Sequence, residues 1–241
     1  MAYGLDFDTG RAVVVPYLRS QGVGGIDMLV VSHADNDHMG GVASLLKEYP
    51  VDDIRAGVPE RVTIHKARQC RRGGHWRWDG VDFVVLHPDA RRYRKGNDAS
   101  CVIRVESRAG QRALLTGDIE SIVEQRLLTD SPDRLSADVL VVPHHGSLTS
   151  SSPAFVEAIH PDYALFSTGY RNRFRFPREP VKERYREADS VLLDTAVKGA
   201  ITVWLASDGQ PPQVEAYRCA ERRYWRTRVC DADTGYGCCD E

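Results

Sequence analysis

No apolar run in this chain approaches the ~20 consecutive residues needed to cross a bilayer, so the 241 residues as they stand are expected to form a soluble globular protein. The opening MAYGLDFDTG has neither the basic nor the apolar segment of a signal peptide. Excess charge of one sign is missing as well. The 32 Lys+Arg face 34 Asp+Glu for a formal net of −2, which excludes a polycation that coats nucleic acid through bulk charge. The six cysteines contain no CxxC pair, which speaks against a zinc ribbon or a thioredoxin motif. Internal repeats and low-complexity linkers are lacking too. Hydrophobic residues make up 42% of the chain, enough at this length to bury a core without staples. A single α/β domain is the expectation over 1–217, with 218–241 a basic, then Cys-rich tail.

Short apolar runs alternate with helical spacing. Strands are expected at Asp27–Val31, Val81–Leu86, Cys101–Val105, Arg112–Thr116, Asp138–Val142, Tyr163–Phe166, Val191–Leu193 and Ala200–Leu205, because such runs bounded by polar turns fit buried strands. Helices are expected at Met39–Glu48, Ile119–Leu128, Ser152–Ala158, with Pro153 at its first position and Ser151 or Ser152 as cap, and Val181–Glu187. A proline tolerates the first helical turn, where its missing N–H costs nothing. Most of the strands stop in loops bearing His or Asp, and open α/β sheets carry their chemistry at such strand ends.

The sharpest of these loops is Ser32-His33-Ala34-Asp35-Asn36-Asp37-His38-Met39-Gly40-Gly41. His33, Asp35, Asp37 and His38 all offer metal-ligating atoms. In extended backbone His33 and Asp35 share a side, whereas Asp37 and His38 fall at the turn into the helix. One loop can therefore feed two adjacent metal positions. Two further strand ends repeat the arrangement: Thr116-Gly117-Asp118 delivers a carboxylate, and Pro143-His144-His145-Gly146-Ser147 delivers two imidazoles. Carboxylates and imidazoles converging at one sheet edge are the donor set of a divalent-metal centre.

HxDxDHxGG followed by TGD and PHHGS resembles the metallo-β-lactamase fold in its ComEC (competence DNA-uptake) variant. Asn97-Asp98-Ala99-Ser100, TSSSPAF at 149–155 and Tyr170-Arg171-Asn172-Arg173-Phe174 support the match, which runs from about Phe7 to Trp204. The resemblance implies an αββα sandwich with a two-metal site at one edge. It also implies a piece of a larger polypeptide that lacks its N-terminal strands, because relatives carry a strand pair before the segment resembling Asp6–Gly10. By resemblance His33 and Asp35 hold one metal, Asp37 and His38 the other, Asp118 bridges, and His145 joins the second metal. Asp37 also orients the attacking water, and His144 stabilises or protonates the reacting group. The isolated histidine usual between the first motif and TGD is replaced either by the Asn97-Asp98 turn or by His87. With carboxylates standing for imidazoles, Mn²⁺ and Mg²⁺ suit the site as well as Zn²⁺.

The implied activity is metal-dependent hydrolysis of a phosphodiester, a nuclease acting on DNA during competence uptake. The implied partners are DNA, single-stranded by preference, and the membrane-channel portion of the parent protein. The implied place is the periplasmic face of the inner membrane, a setting that favours a Cys70–Cys101 disulfide. Charge patterning points the same way. Arg61, Lys66, Arg68, Arg71, Arg72 and Arg77 follow one another without an acid, with Trp76 and Trp78 interleaved, and Arg91, Arg92, Arg94 and Lys95 surround Tyr93. Arg171, Arg173 and Arg175 alternate with Phe174 and Phe176. Guanidinium groups track phosphates and aromatic faces stack bases, so Arg71, Arg72, Trp76, Arg171, Arg173 and Arg175 are candidate nucleic-acid contacts. RNRFRF also reads as one strand with alternating faces. Two other functions fit the same motifs: a catalytically weak module that guides DNA to a channel, and a lactam or lactone hydrolase.

Overall fold

A computed structural model describes residues 8–62, 66–89, 96–206 and 208–220. The basic cluster Arg91, Arg92, Arg94 and Lys95 and the tail from 221 onward lie outside the described residues. These divide into two units: one takes the residues up to Gly74 together with 85–102, and the other takes 75–84 and the residues from 103 on.

In the first unit, a π-helical turn over Gly10–Val14 leads into helix α1 (Val15–Ser20). Strand β1 (Ile26–Val31), the short helix α2 (Asn36–Met39), helix α3 (Val42–Glu48), and strands β2 (Val51–Ala56) and β3 (Arg68–Gln69) follow. The three strands form a parallel sheet in the order β1-β2-β3. Val31, Val42, Leu46, Ile54, Ala56 and Val62 make its core. Burying a side chain of this kind contributes about 1.5–3 kcal/mol, which is what anchors the last residue of β1 directly before the His33 loop. The helix expected over Met39–Glu48 is two helices, because the backbone of Gly41 lies directly against that of Gly10 and a Cβ on either would strike the other. Such close approach is available only to glycine.

The second unit is built on a sheet ordered β10-β9-β8-β7-β6-β5-β4, with β4 His75–Trp78, β5 Val81–His87, β6 Val102–Glu106, β7 Arg112–Leu115, β8 Val139–Val141, β9 Tyr163–Phe166 and β10 Val191–Asp194. Strands β4/β5 and β6/β7 pair antiparallel, whereas β7, β8, β9 and β10 run parallel. Leu115 pairs with Val141, Val141 with Leu165, and Leu165 with Leu193, so the loops leaving these four strands emerge side by side. Helices α4 (Ser121–Asp130), α5 (Pro153–Ile159) and α6 (Glu179–Glu187) bury Val123 and Leu127, Phe155 and Ile159, and Val181 and Tyr185. Short helices α7 (Thr195–Lys198) and α8 (Tyr217–Ala220) flank a separate hairpin, β11 (Ile201–Trp204) with β12 (Gln213–Ala216).

Pro153 opens α5 as expected, but no serine side chain caps it. The buried Glu124 carboxylate instead accepts the backbone N–H groups of Ser151 and Ser152. RNRFRF is no strand. Asn172 donates Nδ2–H to the carbonyls of Gly169 and Phe176 and accepts the Phe176 N–H, folding the segment into consecutive turns.

Candidate metal centre

In the first unit β1 ends at Val31, and the next seven residues gather four metal-ligating side chains. His33 is buried, and its ring lies 4.2 Å from that of His38. Ser32 Oγ stands 3.2 Å from His33 Nδ1 and 3.1 Å from His38 Nδ1, and a hydroxyl oxygen has lone pairs for both. His33 Nε2 lies 3.8 Å from Asp35 Oδ2, and His38 Nε2 lies 3.8 Å from Asp37 Oδ2. Asp37 and His38 occupy the one-turn helix α2, where Asp35 O accepts the N–H groups of His38 and Met39.

The protonation of His33 follows from its surroundings. Ser100 Oγ donates its single proton to Asn97 O at 2.7 Å, because a carbonyl can only accept. Towards His33 Nδ1, 3.3 Å away, Ser100 therefore accepts. His33 then carries its proton on Nδ1 and turns the Nε2 lone pair towards the Asp35 side. His87, buried, donates Nε2–H to Asp98 O at 2.8 Å, and the Asn97-Asp98 turn holds Ser100 through the Asn97 carbonyl. Cys70 and Cys101 are joined in a disulfide.

In the second unit the ends of β7 and β8 bring Asp118 and His145 together, Nε2 to Oδ2 at 3.4 Å. His145 donates Nδ1–H to Ser167 O at 2.7 Å, which fixes its tautomer and leaves Nε2 as the bare nitrogen. The backbone here is unusual. His144 has φ 50° and His145 φ 55°, a left-handed conformation that costs a non-glycine residue about 1–3 kcal/mol and persists only where its surroundings impose it. Gly146 continues the turn at φ +82°, and a Cβ there would stand 2.7 Å from Pro177 Cβ.

His144 faces a different set of groups. Its Nδ1 lies 3.1 Å from Thr149 Oγ1 and 3.4 Å from Glu120 Oε1. Thr149 donates its proton to Glu120, so it accepts from His144 Nδ1–H and leaves Nε2 able to take or give a proton. The edge of the ring meets Phe176, centroids 5.8 Å apart.

Phe176 belongs to the turn segment over 169–178. Phe174 stacks on Phe176 at 5.5 Å, Arg173 lies over Phe174, Arg171 over Tyr170, and Arg178 over Phe176. Arg171, Arg173 and Arg175 are exposed. The other basic stretch is partly neutralised: Arg68 pairs with Asp53 and Arg77 with Asp82. Asp53 is held below the usual carboxylate range by its hydrogen bond from Arg68. Trp76 stacks on Phe83 at 5.0 Å, so one of its faces is covered, while Arg71 and Arg72 are exposed.

Sequence reasoning missed Ser32, Ser100, Thr149 and Glu120 and the carbonyl of Ser167. Ser32 stands in the His33 loop, Ser100 in the Asn97–Ser100 segment and Thr149 at the start of TSSSPAF, but none of these motifs says which histidine a hydroxyl meets; Glu120 and the Ser167 carbonyl stand in no motif.

Bare imidazole nitrogens beside carboxylates are the donor set that divalent ions require. Both units present it, so these residues fit a metal. Among the described residues no helix is long and apolar enough to cross a membrane. Residues 3–170 match the model of the metallo-beta-lactamase superfamily, a family that implies divalent metal ions. Competence protein ComA of Neisseria gonorrhoeae is 39% identical over 228 residues, covering 92% of this chain and 32% of that protein. Recombination protein 2 of Haemophilus influenzae is 35% identical over 83% of this chain and 26% of its own length. ComE operon protein 3 of Bacillus subtilis is 31% identical over 81% and 26%. The chain thus spans between a quarter and a third of the curated relatives it matches. It belongs to the metallo-β-lactamase superfamily, and these three relatives, to which it is similar, are ComEC-type competence proteins.

Proposed function

We propose that this chain is a metal-dependent nuclease or phosphodiesterase that acts on DNA during competence uptake. The observation that carries the reading is the closeness of imidazole nitrogens to carboxylate oxygens after strand ends, His33 to Asp35 at 3.8 Å and His145 to Asp118 at 3.4 Å. In this reading His33 and Asp35 would hold one divalent ion, Asp37, His38 and His145 would hold a second, and Asp118 would serve both. Divalent ions so held would supply Lewis acidity towards a phosphoryl oxygen and lower the pKa of a water towards neutrality. Asp37 would orient the attacking water. His144, with Nδ1–H engaged by Thr149 and Glu120, would take a proton on Nε2 from the attacking water and pass it to the departing oxygen.

The substrate class follows from the flanking cations. In this reading Arg171, Arg173 and Arg175 bind phosphates, as do Arg71 and Arg72, and Trp76 stacks on a base. Guanidinium groups laid over aromatic rings keep their N–H edges available for phosphate while losing little entropy on binding. In the parent protein the domain works beside a membrane channel, on the periplasmic face of the inner membrane, with single-stranded DNA as the cargo.

The test is hydrolysis of a labelled single-stranded oligonucleotide by the chain with Mn²⁺, Zn²⁺ or Mg²⁺. The expected result is cleavage that Asp118→Ala and His33→Ala abolish. Absence of cleavage of single- and double-stranded DNA with every ion, or turnover of nitrocefin or a lactone instead, overturns the reading.

A further inference from the structure

We infer that Ser100 is a positioning residue for His33, and that the Cys70–Cys101 disulfide holds it in place. The inference rests on the metal-centre reading above, and everything it uses lies within the first unit.

Ser100 is fully buried. Because its proton goes to Asn97 O, it meets His33 Nδ1 as an acceptor. Ser32 Oγ stands at the same nitrogen, 3.2 Å away, but it is shared with His38 Nδ1, so Ser100 is the hydroxyl given to His33 alone, an outer partner of the kind that fixes the tautomer and ring plane of a metal-ligating histidine. The position of Ser100 is set by its neighbour. Cys101 donates its N–H to Ser32 O at 2.9 Å and is bonded to Cys70, whose own N–H is donated to Ala56 O at 2.9 Å at the end of β2. Gly57 closes the ring: it donates to Val31 O, and its α-carbon lies so near Ser32 O and Ala99 O that a Cβ would collide with both. The ends of β1, β2 and β3 and the 99–101 segment are thus tied around the base of the His33 loop.

Cys70 and Cys101 are 1% and 3% exposed. With both sulfurs buried, the bond ties the 99–101 segment to the chain leaving β3 and so helps to set the position of Ser100.

The experiment measures the affinity of the chain for Mn²⁺ and Zn²⁺ by competition with a chromophoric chelator. The proteins are wild type, His33→Ala, Ser100→Ala, Ser100→Thr, and Cys70→Ala/Cys101→Ala with and without Ser100→Ala. His33→Ala is expected to remove one ion. Ser100→Ala is expected to weaken that same ion by about 10–100-fold, the usual effect of removing an outer partner, and Ser100→Thr, which keeps the hydroxyl, to restore it. The cysteine pair is expected to weaken the same ion, and adding Ser100→Ala to cause little further loss, because both act through one contact. Wild-type affinity in Ser100→Ala, or losses that simply add, overturns the inference while the metal centre stands. No ion bound by the wild-type chain overturns both.

Discussion

His145 donates its Nδ1–H to the carbonyl of Ser167 at 2.7 Å, and this one bond decides which nitrogen faces Asp118. The partner is a main-chain atom, so the serine side chain has no part in it. Ser167→Ala is expected to bind divalent metal as the wild type does, whereas His145→Ala loses an ion. Metal content after dialysis distinguishes them, and a loss in Ser167→Ala would show that the hydroxyl matters.

The turn that presents His145 depends on Gly146. At φ +82°, with Pro177 Cβ 2.7 Å from where a Cβ would stand, Gly146→Ala adds both a strained conformation and a clash. A loss of about 1–3 kcal/mol is expected, read as a lower urea midpoint with an unchanged slope. An unaltered midpoint would mean that the turn relaxes freely.

Glu124 gives a pH dependence with a definite sign. Burial holds its carboxyl above the ordinary glutamate range, against the lowering effect of the Ser151 and Ser152 N–H groups. In the unfolded chain it titrates near ~4.3. Its contribution to stability is thus complete below that pH and is lost as pH rises through the higher folded value. Urea midpoints of wild type minus Glu124→Gln should fall as pH climbs from about 4.3 and then level off. A constant difference across that range would contradict the assignment.

Arg171, Arg173 and Arg175 are expected to meet phosphates. Each phosphate contact on a single strand contributes about 0.7 to the slope of log K against log salt, so replacing all three by Ala should lower the slope by about 2. Asn172→Ala, which removes the bonds that shape the turns, should weaken binding at every salt concentration. Fluorescence anisotropy with a labelled oligonucleotide measures both, and an unchanged slope in the triple variant removes these arginines from the interface.

Much of this was visible in the sequence, and what was hidden has physical reasons. The strands around Leu29, Val84, Leu140 and Leu165 show as apolar runs because both their faces or one whole face are covered. β2 stayed hidden because VDDIRA carries charges, and those charges are matched only in space, Asp53 by Arg55 and by Arg68 of β3. β4 shows in the sequence only as a basic, aromatic stretch, because the pairing that makes it a strand, with Trp76 stacked on Phe83 across the hairpin, exists only in space. RNRFRF has the alternation of a strand, yet the bonds of Asn172 bend it. In the site, the side chains that can ligate a metal were legible as polar tips after apolar runs. The groups that orient them were not. Ser100 reaches His33 across 67 positions, and Ser167 acts through a carbonyl that every residue possesses.

The central claim is that the His33 loop and the Asp118 and His145 strand ends bind divalent ions, two per chain. Elemental analysis of the purified chain by plasma mass spectrometry tests it most directly. Two ions per chain are expected, with one lost in His33→Ala and both weakened in Asp118→Ala. A wild-type chain without stoichiometric divalent metal, or variants that retain the full complement, would contradict it.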